Sequence, residues 1–189
     1  MDAASQYALA YALTTTAGLR GVLSLALVAV AAHLGAIHPP ADFSWLASPA
    51  VMWILVAVSG AELVADKVPL VDHGLHVLQV VVKPAAAAVI VGGTVHPQSQ
   101  GMLIFLMIVG ALNALGIHAG VMSVRAASTA TTGGLGNPVV STVEDAGAIG
   151  GGVLAFIMPF VVALVALLMS LALFFGARKA YRRLRPRTG

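Results

Sequence analysis

Residues 153–176 read VLAFIMPFVVALVALLMSLALFFG and contain no Asp, Glu, Lys or Arg. An uncharged apolar run of this length predicts a membrane-crossing helix, because about 20 helical residues span the hydrocarbon core of a bilayer. The whole chain shares this character, with 59% hydrophobic and 9% charged residues, whereas about a quarter of the residues in an average soluble domain are charged. The composition therefore predicts an all-α membrane protein.

Four further apolar segments precede this run, over residues 5–36, 48–66, 72–93 and 102–118. Residues 119–152 differ from them, because small and hydroxylic residues crowd together there. Irregular backbone at membrane depth is tolerated only where it is buried in protein or lines a watery cavity. We therefore expect a broken or re-entrant segment over 119–150, which gives about six crossings if it returns the chain across the membrane.

The basic residues are concentrated after the last apolar run, at Arg178, Lys179, Arg182, Arg183, Arg185 and Arg187. Loops rich in Lys and Arg stay in the cytoplasm and attract anionic lipids. The sequence thus predicts one transmembrane domain over 1–176 and a basic cytoplasmic tail over 177–189, in the plasma membrane. With six crossings, the N-terminus is also cytoplasmic. This position of the basic residues argues against a nucleic-acid partner.

The two halves of the chain show some internal sequence similarity. The run 17–20, Ala-Gly-Leu-Arg, resembles Ala119-Gly120 followed by Arg125, and Ser48-Pro49 resembles Asn137-Pro138. Two halves of three crossings each form an inverted repeat, as in many secondary transporters, which bind substrate near the midplane at interrupted helices. Chance agreement among small residues is the alternative.

Five of the seven acidic residues lie within or at the ends of apolar segments, namely Glu62, Asp66, Asp72, Glu144 and Asp145. A charge at membrane depth is costly, which makes each of these residues a candidate ion-binding or proton-binding group. Glu62 and Asp66 share one helix face, and two close carboxylates stay ionised only with a cation or proton between them. The chain has no cysteine, and oxygen donors suit Mg, Ca or Mn. Glu62, Asp66, Glu144 and Asp145 are the candidate metal ligands.

A purely structural interpretation stays open beside this one. Arg20, Lys67 and Arg125 can act as charge partners of the acids, with Glu62 paired to Arg20 and Asp66 to Lys67. Asp72 lies four residues before His76, a spacing that suits a proton relay, but an Asp before a helix is also a common N-cap.

Two resemblances add to this interpretation. The run 61–72, AELVADKVPLVD, together with Arg20 and with Asn137-Pro138 through Glu144-Asp145, resembles a family of small bacterial membrane proteins catalogued as a domain of unknown function. That resemblance implies a multi-spanning protein and supplies no activity. Residues 62–67 also look like the Glu-x-Gly-Asp-Lys-Thr signature of exporters that include manganese and calcium proton exchangers, with a spacing longer by one residue.

The function that we expect is transport of a cation coupled to protons. A non-transporting membrane scaffold or assembly protein is the alternative. No spacing of Ser and His marks a catalytic triad, so we do not expect an enzyme. No cofactor is expected beyond a bound metal cation. The expected partners are the bilayer, anionic lipids at the basic tail and a small cation, and the formation of a homo-oligomer is left open.

Overall fold

The computed structural model describes residues 1–65 and 69–184, without the side chains of 69–77, 177 and 179–184. This part of the chain has no strand. The all-α prediction is therefore confirmed. One short 3-10 helix and seven α-helices follow one another: α1 Ala3–Leu19, α2 Gly21–His33, the 3-10 helix Ala41–Ala47, α3 Pro49–Ala65, α4 Pro69–Thr94, α5 Gln100–Thr132, α6 Asn137–Ile157 and α7 Pro159–Leu184.

Three of the described helices are long and apolar enough to cross a membrane, namely α5, α6 and residues 159–176 of α7. The 3-10 helix and α3 meet at an angle of 63° and make a fourth span if they are counted together. The chain is therefore a membrane protein with several spans. Helix α7 continues beyond its apolar span to Leu184.

The first apolar segment is a hairpin of two helices that turns at Arg20, where the backbone is extended (φ −136°, ψ 93°). Ser24 Oγ donates a hydrogen bond to Thr16 Oγ1 at 3.0 Å, although the two residues are eight positions apart. In a continuous helix that separation is about 12 Å. The start of α1 and the residues after α2 accordingly line one small cavity, together with the end of α4. We call this the Met1 end of the bundle, and the opposite end, beyond the level of Arg20, the Arg20 end.

Contacts along α1 give the directions of α4 and α5. The His96 amide, after α4, donates a hydrogen bond to Gln6 Oε1 at 3.1 Å. At the other end of α1, Gly21 packs directly on Lys83 of α4, so α4 runs antiparallel to α1. In contrast, α5 runs parallel to α1, since Asn113 bonds to Thr14 and Ile117 packs on Gly18.

The last two helices continue this alternation. Gly147 and Gly151 of α6 pack on Leu19 and Thr16 respectively, which makes α6 antiparallel to α1. Residues of α7 then return toward the Arg20 end, with Tyr11 bonded to Ser170 and Gly120 packed on Leu173. The N-terminus and the end of α7 therefore lie at opposite ends of the bundle. The turn at Arg20 contributes to this, because it reverses the chain within the first apolar segment. The side of the membrane on which each terminus lies stays a prediction.

The region expected to be broken or re-entrant, 119–150, is helical apart from one turn. Helix α5 continues through it to Thr132, the chain turns at Gly133 and Gly134, which both have positive φ, and α6 follows. The hydroxyls that made this stretch look irregular bond to carbonyl groups of their own helix, as in Ser123 to Ala119 and Thr129 to Arg125. Such bonds satisfy hydroxyl groups inside a helix.

Two other boundaries differ from expectation. The last apolar run is not one helix, because α6 ends at Ile157 and α7 begins at Pro159. Proline lacks the amide hydrogen that a helix interior needs and disfavours helical backbone before it. Likewise, α4 begins at Pro69, so Asp72 is the fourth residue of that helix instead of its N-cap.

Candidate functional site

Buried charges gather where the α1–α2 hairpin turns. Arg20, at the tip, is only 1% exposed. Its Nε lies 2.7 Å from Oδ1 of Asp145 on α6, and its Nη2 donates a hydrogen bond to Ser141 Oγ at 2.9 Å. Ser141 and Asp145 are one helical turn apart and face the same neighbour. The guanidinium therefore ties the hairpin tip to α6 by two contacts.

A second ion pair lies beside the first. Arg125 of α5 donates a hydrogen bond from Nε to Glu144 Oε1 at 2.8 Å, and both residues are buried. Consecutive helical residues point about 100° apart, so Glu144 and Asp145 each reach a different arginine. In the structure, Arg20 contacts Asp145 and Arg125 contacts Glu144. The sequence had suggested Glu62 as the partner of Arg20.

The third buried cation is Lys83 of α4, which is 2% exposed. Its Nζ lies 3.0 Å from Nδ1 of His118 on α5, which is 3% exposed. Within the described part of the chain, no carboxylate lies within ion-pair distance of Lys83. A buried ammonium is thus held by an imidazole instead of an acid.

Glu62 of α3 is half-buried and accepts a hydrogen bond from Gln79 Nε2 of α4 at 2.9 Å. Gln79 precedes Lys83 by one helical turn, which places Glu62 on the side of α4 that leads to the charged cluster. Its expected partner Asp66 and the expected cation Lys67 lie outside the described residues. The Asp72 and His76 side chains lie outside them as well, so these four assignments stay predictions.

A line of uncharged polar groups runs along α1 from the tip toward the Met1 end. Asn113 Nδ2 donates to the hydroxyl groups of Thr14 and Thr15 at 3.0 and 2.9 Å. The Thr16–Ser24 hydrogen bond continues this line toward Arg20. All three threonines are buried, which is costly in a membrane protein unless each hydroxyl has a partner.

Two cavities flank Asn113. One of about 480 Å³ runs between α1, α4 and α5 and is lined by Tyr7, Tyr11 and Thr14 on the α1 side. The other, of about 360 Å³, lies between α5 and α7 and includes Ser170. Most of the residues that line both cavities are apolar, and Asn113 is a polar residue that they share.

The described residues contain no cluster of three acidic or histidine side chains that could hold a metal ion. Glu144 and Asp145 each contact an arginine, so an ion that used them would compete with a guanidinium. Three polar residues of the site, His118, Gln79 and Asn113, were not predicted from the sequence. Each is polar and lies in or beside an apolar run, which was the available signal, but its partner lies on another helix.

Comparison with known proteins gives a family without an activity. No curated protein and no solved structure matches this chain. The model of one protein family matches residues 7–179, which is most of the chain and includes every described residue of the charged cluster. The resemblance to a family catalogued as a domain of unknown function is therefore confirmed, and the chain belongs to the family described as domain of unknown function DUF4126.

Proposed function

We propose that this protein is a membrane transporter for a cation and that transport is coupled to protons. One observation carries the proposal: three basic and three acidic side chains lie at or near the tip of a helical hairpin inside the bundle. They are Arg20, Lys83, Arg125, Glu62, Glu144 and Asp145. Ionisable groups in the membrane are rare and mark ion and proton pathways.

The six charges of the cluster are balanced, three positive and three negative. This balance favours the exchange of a proton for a cation over the binding of an additional cation. A cation that joined the cluster would leave an uncompensated positive charge in a poorly hydrated place, which is costly. The cost falls if a proton leaves as the cation arrives. Arginine keeps its proton in proteins, so Arg20 and Arg125 can yield a carboxylate only by moving away from it. The composition of the cluster therefore supports a proposal of coupling to protons.

The polar line along α1 supplies an approach to the cluster. The cavity beside Tyr7 and Tyr11 leads from the Met1 end to Asn113, and the Thr16–Ser24 contact lies between Asn113 and Arg20. Interrupted helices at the site are typical of secondary transporters, and the turn at Arg20 is such an interruption. We place the protein in the bacterial plasma membrane with its basic C-terminal tail in the cytoplasm, near anionic lipids.

A second function is favoured by a specific observation. Each carboxylate of the Glu144–Asp145 pair lies within 2.8 Å of an arginine, as in a structural ion pair that joins helices. A membrane scaffold or assembly protein needs nothing more from these residues. Burial of ion pairs by itself is weak evidence for stability, so the pairs do not decide between the two functions.

Reconstitution into proteoliposomes distinguishes the two proposals. Purified protein is placed in vesicles with a pH-sensitive dye inside, and Na⁺, K⁺, Mn²⁺ or Ca²⁺ is added outside. We expect at least one of these cations to enter while the lumen becomes alkaline, and protein-free vesicles to show neither change. The experiment is repeated with an acidic and with an alkaline lumen. If none of the four cations crosses the membrane in either case, the transporter proposal fails and the scaffold proposal remains.

A further inference from the structure

Lys83 has a position that a structural ion pair does not explain. It is held where α4 meets the hairpin tip, because a Cβ on Gly21 would lie 2.9 Å from Lys83 Cα. Its ammonium is nearly inaccessible to solvent, and its partner at 3.0 Å is Nδ1 of His118. Because an ammonium only donates, Nδ1 accepts this hydrogen bond as the unprotonated nitrogen of a neutral imidazole. A neutral imidazole does not neutralise the buried positive charge.

The surrounding charges come from four other places in the fold. The carboxylates of Glu144 on α6 and Glu62 on α3 attract the Lys83 ammonium. The guanidinium groups of Arg20 at the hairpin tip and Arg125 on α5 repel it. Arg20 and Arg125 have carboxylate partners at 2.7 and 2.8 Å. Lys83 has none among the described residues. It is therefore the buried cation of this cluster that can give up a proton most readily.

We propose that Lys83 and His118 form the proton-carrying site of the transport cycle and release one proton for each cation that binds. This inference rests on the proposed transport function. Before the cation binds, the Lys83 ammonium donates its hydrogen bond to Nδ1 of neutral His118. When the cation approaches Glu62 or Glu144, one proton passes from Nζ to Nδ1 and another leaves the imidazole from Nε2. The neutral Lys83 amine then accepts a hydrogen bond from Nδ1.

The charge and the protons balance in this step. One proton leaves the protein, the Lys83 ammonium becomes an amine, and His118 is neutral before and after with its proton on the other nitrogen. A monovalent cation exchanged for that proton leaves the cluster with its original charge. Rebinding of a proton from the other side restores the ammonium and expels the cation, which makes the protein an antiporter.

The test measures protons moved per cation in the vesicles described above, with whichever of the four probe cations the unmodified protein transports. Lys83→Gln keeps a polar group beside His118 but cannot release a proton, and we expect cation flux without alkalinisation of the lumen. Lys83→Arg keeps a positive charge that is not given up, and we expect the pH change to be lost there too. The Lys83→Arg variant provides the test if Lys83→Gln does not fold.

Two variants control for the loss of a basic or a buried polar group elsewhere. Arg178→Gln removes an exposed cation, and Thr94→Val removes a buried hydroxyl that bonds within its own helix. We expect both to keep the proton-to-cation ratio of the unmodified protein. An unchanged ratio in a folded Lys83 variant would overturn this inference and leave the transport function standing. No flux of any probe in the unmodified protein would overturn both.

Discussion

Arg20 and Arg125 hold two adjacent carboxylates from opposite sides, and this arrangement follows from side-chain geometry. The sequence identified both arginines and both acids, because charges in apolar segments are conspicuous. It did not identify which acid meets which arginine. That pairing depends on the turn at Arg20, which brings α1 and α6 together, and on the continuation of α5 to Arg125. His118 was overlooked for the same reason, since a lone histidine in an apolar run has many interpretations until its neighbour is known.

The Arg125–Glu144 pair allows a test of structural against functional charge. We expect Arg125→Gln and Glu144→Gln each to lower the free energy of unfolding by about 2 kcal/mol, because each leaves a buried charge without its partner. The double variant removes both charges and should recover most of that loss. Thermal unfolding in detergent measures stability, with Arg178→Gln as the control for loss of a cation at an exposed position.

The same variants separate the two proposed functions. If Glu144 takes part in cation binding, the stable double variant should show no flux of the cation that the unmodified protein transports. Normal flux in that variant would leave only the structural role for this pair.

The contacts of Arg20 can be tested for coupling, because its guanidinium contacts Asp145 and Ser141 at once. Lysine carries the same charge on a single nitrogen and cannot reproduce this fork. We expect Arg20→Lys to lower the free energy of unfolding by about 1 kcal/mol, the value of one hydrogen bond, and Ser141→Ala to lower it by a similar amount. Combining the two changes should then add little. Full additivity would show that the two contacts are independent.

Helix existence was easier to predict than helix ends. Apolar runs predicted where helices lie, but the run 153–176 is divided between α6 and α7. Residues 119–150 were expected to be irregular because small residues crowd there, yet the glycines at 150–152 lie inside α6. Gly151 and Gly152 allow that helix to approach Thr16 and Leu27 closely, as small residues do between helices in membranes. The role of these glycines depends on a contact with a distant helix, which cannot be read from the local sequence.

Helices α1 and α5 cross at Gly18. A methyl group on Gly18 would lie 2.5 Å from Ile117 Cβ and 2.7 Å from the Ala114 carbonyl oxygen. Neither neighbour is the end of a flexible side chain. We expect Gly18→Ala to push the two helices apart and to cost about 2 kcal/mol of unfolding free energy. It should also lengthen the Lys83–His118 contact, since His118 follows Ile117.

Gly150→Ala is the matched control, because a methyl group there meets nothing within 4 Å. Within a helix, alanine is favoured over glycine by up to about 1 kcal/mol. This variant should therefore be as stable as the unmodified protein or slightly more stable. Equal melting temperatures for the two alanine variants would show that the α1–α5 contact is not tight.

In the described part of the chain, α4 and α6 run antiparallel to α1 and α5 and α7 run parallel to it, and α1 packs against all four. The sequence predicted about six crossings and, as one interpretation, an inverted repeat of three and three. The described helices provide three spans, or four with the bent pair, so six crossings are not confirmed and the repeat stays a prediction. The unpredicted element is the α1–α2 hairpin, whose apolar composition is continuous from one arm to the other. Only Arg20 marks the turn, and a single arginine is equally compatible with a continuous helix that contains one ion pair.

The sidedness of the two termini is the prediction that follows from this alternation. The chain contains no cysteine, so single cysteines can be introduced at exposed positions and labelled with a maleimide that does not cross membranes. Ala4 and Gln98 lie at the Met1 end, and Leu135 and Arg178 lie beyond the Arg20 end. Because the basic tail follows Arg178, the Arg20 end should face the cytoplasm. Intact cells should then be labelled at Ala4→Cys and Gln98→Cys, and at Leu135→Cys and Arg178→Cys only after permeabilisation. Labelling that puts Ala4 and Arg178 on the same side would contradict the hairpin at Arg20 and restore an even number of crossings.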